Sequence, residues 1–109
     1  MNQIDLSGRN AVVTGGARGI GYAIAQRLLQ SGASVSVWDV DPEAAAEAKA
    51  GLSEHGTVDT QTVELTDADA VAAATEGTIS SLGHIDILCN NAGIAGGNYK
   101  KSVLYTSDA

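Results

Sequence analysis

The chain has 109 residues, enough for one small domain and too few for two. Apolar residues make up 44% of it and Phe is absent, so a core must be built from Ala, Val, Ile and Leu; this excludes global disorder and suits buried strands with helices packed closely on them. The net charge of −7, with six basic residues scattered apart from the Lys100-Lys101 pair, excludes the basic stripe a duplex-binding surface needs, and no apolar run approaches membrane-spanning length.

In chain order, Asn10 to Thr14 is a short apolar run ahead of glycines and predicts a first strand. Gly19 to Gln30 carries apolar residues at Ile20, Ala23, Ile24 and Leu28, the spacing of a helix, and Ser31-Gly32 ends it. Ser34 to Trp38 predicts a second strand. Asp41 can cap a second helix with Pro42 at its first position, and the Ala-rich run carries that helix to about Ser53. Gly56 breaks the chain, and Gln61 to Leu65 predicts a third strand. Thr66-Asp67 offers a cap for a third helix reaching about Leu82, with Val71, Thr75, Thr78 and Leu82 on one face and Gly77 weakening it. Ile85 to Cys89 predicts a fourth strand. Strands alternating with helices imply a parallel sheet with right-handed crossovers.

Cys89 is the single cysteine, so no internal disulfide can form, and its apolar neighbours suggest a buried, inert thiol. His55 and His84 have no second ligand at metal spacing, so no metal site is expected. Met1 to Arg9 lacks the apolar core of a secretory signal, which makes the cytoplasm the expected compartment.

The most informative segment joins the first strand to the first helix. Gly15, Gly19 and Gly21 follow a G-x-x-x-G-x-G spacing there. A helix begins with unpaired backbone amides and a partial positive charge, and a pyrophosphate placed there is stabilised by both. Glycines let the backbone approach the phosphates, and Gly21 lets the helix lie tightly on the sheet. The alternative is a tight turn without a ligand, for which three glycines would be a needless loss of helix stability.

Asp39 lies 18 residues beyond Gly21 at the end of the second strand, where an acid can meet the adenosine ribose hydroxyls. Asp41 competes for that role, but capping already accounts for it; the sequence offers no such local role for Asp39. A hydroxyl bonded to the carboxylate contributes about 1.5–3 kcal/mol. A 2′-phosphate at about 4 Å would meet a like charge costing on the order of 4 kcal/mol per unit-charge pair at an effective dielectric of about 20. NAD is therefore expected over NADP. Arg18 argues the other way, since a guanidinium beside the turn can pair with a 2′-phosphate, or else lie along the adenosine edge or in solvent.

With these residues placed, the chain resembles the short-chain dehydrogenase/reductase family. Thr14-Gly15-Gly16-Ala17-Arg18-Gly19-Ile20-Gly21 is similar to the family's T-G-x-x-x-G-I-G, and Asn90-Asn91-Ala92-Gly93 to its N-N-A-G. Both occur in order, each after a predicted strand, which is more specific than either alone. The resemblance covers roughly residues 5 to 97. It implies an α/β fold in three layers, a partial Rossmann-type doubly wound parallel sheet of about four strands in the order 3-2-1-4, with helices on both faces. It divides the chain into a partial NAD(P)-binding domain, 1–97, and a tail, 98–109, that is non-native-looking or disordered.

The resemblance also implies that Asn91, Ala92 and Gly93 line the adenine ribose side and steady the central sheet, and that Ile20 touches the pyrophosphate through its backbone. Glu64-Leu65 stands where the family usually has Asp-Val or Asn-Val. Glu64 is one methylene longer than Asp, while Leu65 keeps a backbone amide to offer the adenine.

Family members interconvert a carbonyl and an alcohol using a Tyr-x-x-x-Lys pair, with a Ser upstream and an Asn on the helix after the fourth strand. The lysine lowers the tyrosine's pKa, since a phenol near about 10 needs a nearby cation to work at neutral pH. Four residues after Tyr22, Tyr99 and Tyr105 stand Gln26, Val103 and Ala109, so the pair does not occur in the 109 residues. The catalytic half is expected to be missing at the C-terminus of a chain with a natural start at Met1. Leu104 to Ala109 reads as translated sequencing-adapter sequence, a frameshift or a divergent tail.

The expected function is the cofactor-binding half of an NAD(P)-dependent oxidoreductase. Its full-length parent would move hydride between nicotinamide and a small carbonyl or secondary alcohol, as a homo-oligomer without nucleic-acid or membrane partners. A non-catalytic dinucleotide-binding module such as a redox sensor is the alternative. So is a non-functional fragment, because four strands alone leave an apolar edge and an uncovered face.

Overall fold

Asn10–Thr14 is buried along its whole length and forms β1, the strand from which the sheet extends both ways. The computed structural model describes residues 5–91 and the backbone of 103–106. After β1 come α1 (Gly19–Gln30), β2 (Ser34–Asp39), α2 (Pro42–Leu52), a 3-10 turn (Ser53–His55), β3 (Val58–Thr62), α3 (Ala68–Leu82), β4 (Ile87–Asn90) and β5 (Val103–Thr106). The sheet order is β3-β2-β1-β4-β5, and the first four strands are parallel, in the expected 3-2-1-4 arrangement.

Each face of the sheet carries an apolar cluster covered by helices, as a parallel sheet requires. On one face Ala11, Val13, Val35, Val37 and Ile87 pack with Ala25 and Leu29 of α1 and Ala48 and Leu52 of α2. On the other, Val12, Trp38 and Val63 pack with Ala74 of α3. Asp41 caps α2 by accepting from the Glu43 and Ala44 amides, and Asp67 caps α3 by accepting from Asp69 and Ala70. Cys89 is free and buried, and burial pushes its thiol pKa up, so the unreactive neutral form is favoured.

The third strand is Val58–Thr62 rather than Gln61 to Leu65. It is an edge strand of mostly polar residues, so apolarity does not mark it; the ladder does, running from Val35↔Val58 to Asp39↔Thr62. Val63 and Leu65, which made the later segment look like a strand, pack under α3 instead. Likewise Ile85 precedes β4 and joins that same cluster. On α3 the buried residues are Ala74 and Thr78. A Cβ at Gly77 would lie 2.7 Å from Gln61 Oε1, the end of a flexible side chain that would have to turn aside.

A fifth strand was not expected. Val103–Thr106 lies in the tail segment and pairs antiparallel with β4, from Asn90↔Val103 to Ile87↔Thr106. Val103, Tyr105 and Thr106 are residues that favour strands, and an antiparallel neighbour needs no crossover helix. Among the described residues, no helix is long and apolar enough to cross a membrane.

Asn10 ties the end of the sheet remote from the glycine turn. Its amide N–H donates to Asp86 Oδ2 at 2.9 Å, and its side-chain Nδ2 donates to the Leu82 and His84 carbonyls at 3.0 and 2.9 Å. His84 Nε2 lies 2.8 Å from the same Asp86 oxygen. Asn10→Ala would leave two carbonyls without their donor and should lower unfolding free energy by about 2 kcal/mol, read as a lower urea midpoint at unchanged slope.

Candidate functional site

The glycine turn is held from three sides. Gly15 and Gly19 adopt left-handed backbone, at φ 64° and 61°, which side chains other than glycine's disfavour. The Gly15 N–H donates to the Trp38 carbonyl at 2.7 Å, which joins the turn to the end of β2. Gly21 is buried against the turn: a Cβ there would sit on the Gly15 carbonyl oxygen and 2.8 Å from Asn91 Nδ2. A Cβ on Gly19, by contrast, would meet nothing within 4 Å, so the turn is open where a ligand would approach.

The start of α1 differs from the other helix starts. Arg18 at its N-cap is extended and makes no side-chain cap, and no acidic residue lies in the first turn. Both α2 and α3 have an Asp cap and an acid in the first turn. The positive end of α1 is thus not offset by carboxylates of its own, a state suited to an external anion.

The second motif meets the first at Thr14. The Asn91 N–H donates to Thr14 Oγ1 at 2.8 Å, and Asn91 Nδ2 donates to the Gly15 carbonyl at 3.4 Å. The Thr14 hydroxyl lies 3.2 Å from Asn90 Oδ1, within donating distance. Ala92 and Gly93 lie outside the described residues.

Asp39 is buried and does have a local role: its Oδ1 accepts the Asp41 amide at 3.1 Å. That Asx-type turn needs three-dimensional placement to be seen, so the sequence view of Asp39 as locally unexplained is corrected. Arg18 lies neither free in solvent nor alone; its Nη2 pairs with Asp41 Oδ2 at 3.3 Å, bridging the glycine turn to the β2–α2 loop. At 69% and 44% side-chain exposure the pair is worth at most about 1 kcal/mol and is easily rearranged.

The structure does not bring every expected residue to a strand end. Glu64 lies two residues past β3, is exposed, and its Oε2 accepts the Thr66 hydroxyl at 2.9 Å. Leu65 is half-buried in the second core cluster. Ile20 is 73% exposed at the start of α1 and borders an apolar groove of about 340 Å³ between α1 and Cys89 of β4. Trp38, whose carbonyl holds the turn, was missed because a backbone acceptor leaves no sequence signal. No metal-holding group of His, Cys, Asp or Glu occurs among the described residues.

This geometry agrees with the wider comparison. The sequence model of a family described as short chain dehydrogenase matches residues 9–107. The chain belongs to that family. A 3beta-hydroxysteroid dehydrogenase 2 of Eggerthella lenta is 42% identical over 90 residues, covering 82% of this chain and 35% of the relative. Among solved structures, an NAD+-bound xylitol dehydrogenase superimposes at a TM-score of 0.78 with 31% identity, over 81% of this chain and 34% of that one. The L-sorbose reductase of Gluconobacter frateurii, complexed with NADPH and L-sorbose, does so at 0.80 with 35% identity, over 84% and 36%. The chain therefore spans about a third of the length of the relatives it matches. The family match extends past residue 97, where the motif resemblance stops, and takes in β5.

In this short-chain dehydrogenase chain the approach of Gly21 to Gly15 is tight enough to test. Gly21→Ala must displace α1 from the turn and should cost about 1–3 kcal/mol as overpacking. A urea melt reads the loss; an unchanged midpoint would show that the helix has room to move.

Proposed function

We propose that this chain is the NAD(P)-binding portion of an oxidoreductase whose full-length form transfers hydride between nicotinamide and a small carbonyl or secondary alcohol. The observation that carries the proposal is the uncapped start of α1, opening behind a turn in which Gly15 and Gly19 are left-handed and Gly21 is packed to contact. That arrangement fits a pyrophosphate: backbone amides at the helix start, Ile20 among them, would donate to it, and Gly15 and Gly19 add no Cβ there.

Asp39, at the end of β2, would take the adenosine ribose hydroxyls with the oxygen that does not hold the Asp41 amide. Asn91, Ala92 and Gly93 would close the ribose side, and Glu64 and Leu65 the adenine side, Leu65 through its backbone amide. The bound nicotinamide would supply the hydride acceptor or donor; this chain's residues hold and orient it.

NAD is preferred over NADP in this reading. A 2′-phosphate would meet the Asp39 carboxylate, and that repulsion outweighs Arg18, an exposed cation whose weak pair with Asp41 leaves it able to turn either way. The relatives include one bound to NAD+ and one to NADPH, so the choice rests on this chain's own residues. The 109 residues hold no Tyr-x-x-x-Lys pair, so the chain alone should bind cofactor without turning over an alcohol.

Calorimetric titration tests the preference. NAD should bind at least tenfold more tightly than NADP, about 1.4 kcal/mol, and Asp39→Ala should narrow the gap. Equal or tighter NADP binding would refute the preference, and NAD-linked alcohol oxidation above background would refute the claim of catalytic incompleteness.

A further inference from the structure

On the sheet face that carries α3 lies a buried polar cluster that the cofactor reading leaves unused. Ser36 and Thr78 have no solvent exposure, and Trp38 is buried beside them. The Trp38 indole N–H donates to Thr78 Oγ1 at 3.0 Å and to Ser36 Oγ at 3.1 Å. Ser36 Oγ donates to Asp59 Oδ2 at 2.7 Å, and Gln61 Nε2 donates to the same oxygen at 3.0 Å. A hydroxyl has a single hydrogen. Ser36 gives its hydrogen to Asp59, so in the 3.1 Å contact between the two hydroxyls Thr78 is the donor. The bonds thus run in one direction, from the indole and Thr78 through Ser36 to a carboxylate on β3.

A buried Trp needs a partner for its N–H, and one hydroxyl would suffice. The second, on α3, fixes the ring from outside the sheet. The position of Trp38 in the chain gives that bond a consequence. Its carbonyl accepts the Gly15 N–H at 2.7 Å, its ladder partner is Thr14, and the next residue is Asp39. The backbone at Trp38 therefore sets the start of the glycine turn and the placement of the acid together.

We infer that Thr78 is a positioning residue for the glycine turn and Asp39, acting through the Trp38 indole. Its effect on binding rests on the cofactor reading above; its effect on the turn does not. In the 109-residue chain, Thr78→Val keeps the branched shape and leaves the indole its bond to Ser36, and Thr78→Ala guards against a misfit valine. Thr78→Ser keeps the hydroxyl. Trp38 is the sole tryptophan, so its emission reports whether the indole environment has changed.

Hydrogen exchange without cofactor should show the Gly15 amide loosened about fivefold relative to the Val13 amide in Thr78→Val and Thr78→Ala, the scale of one hydrogen bond, and restored in Thr78→Ser. NAD affinity should fall by about the same factor and recover in the same variant. Equal loosening of Gly15 and Val13 would mean a general loss of stability and overturn the inference. So would an unchanged Gly15, or a loosened Gly15 with unaltered NAD affinity. A wild-type chain that binds no NAD, while Gly15 exchange still follows Thr78, would remove the cofactor reading and support the link from Thr78 to the turn.

Discussion

Gly15 carries contacts from three separate parts of the chain within one peptide's reach. Its amide donates to Trp38 on β2, its carbonyl accepts from Asn91 after β4, and the same carbonyl lies under Gly21 of α1. A side chain on Gly21 would force the helix off this surface. The helix start, with its uncapped amides, would move with it. The close approach therefore sets both where α1 packs and where its positive end stands, and the packing on one sheet face inherits its geometry from that contact.

The electrostatics follow from the same junction. Asp41 and Asp67 offset the positive ends of α2 and α3, while α1 has no carboxylate in its cap or first turn. In a chain with thirteen acids and a net charge of −7, an uncompensated helix start is a local exception. Arg18 adds a cation nearby, but its partner Asp41 is at once the cap of α2 and the acceptor of that ion pair. The carboxylates at 39 and 41 thus divide the work of the β2–α2 loop: one holds a backbone amide, the other caps a helix and receives the arginine.

The sequence made β1, α1 and the two aspartate caps legible because each has a local cause: an apolar run, a three- and four-residue spacing, an Asp before a helix. β3 was misplaced because an edge strand of polar residues owes its existence to the ladder with β2, which periodicity does not record. Glu64 and Leu65 moved off the strand end as a result. The Asp39 bond to the Asp41 amide and the Arg18–Asp41 pair depend on loop geometry and on a turn 23 residues away, so neither could be read from spacing.

The described parts of the cradle come from Thr14 to Asn91, within a chain about a third as long as its relatives. Holding a dinucleotide, on this reading, needs a βαβαβαβ arrangement and little more, because the donors are backbone amides whose positions the sheet register fixes. Hydride transfer needs side chains aligned with the nicotinamide, and the tyrosine–lysine pair that would supply them is not among these residues. The two requirements differ in kind. The first, on the proposed reading, rests on strand pairing and close glycine packing. The second depends on side chains whose protonation and distance to the nicotinamide must be tuned together, which strand register alone does not supply.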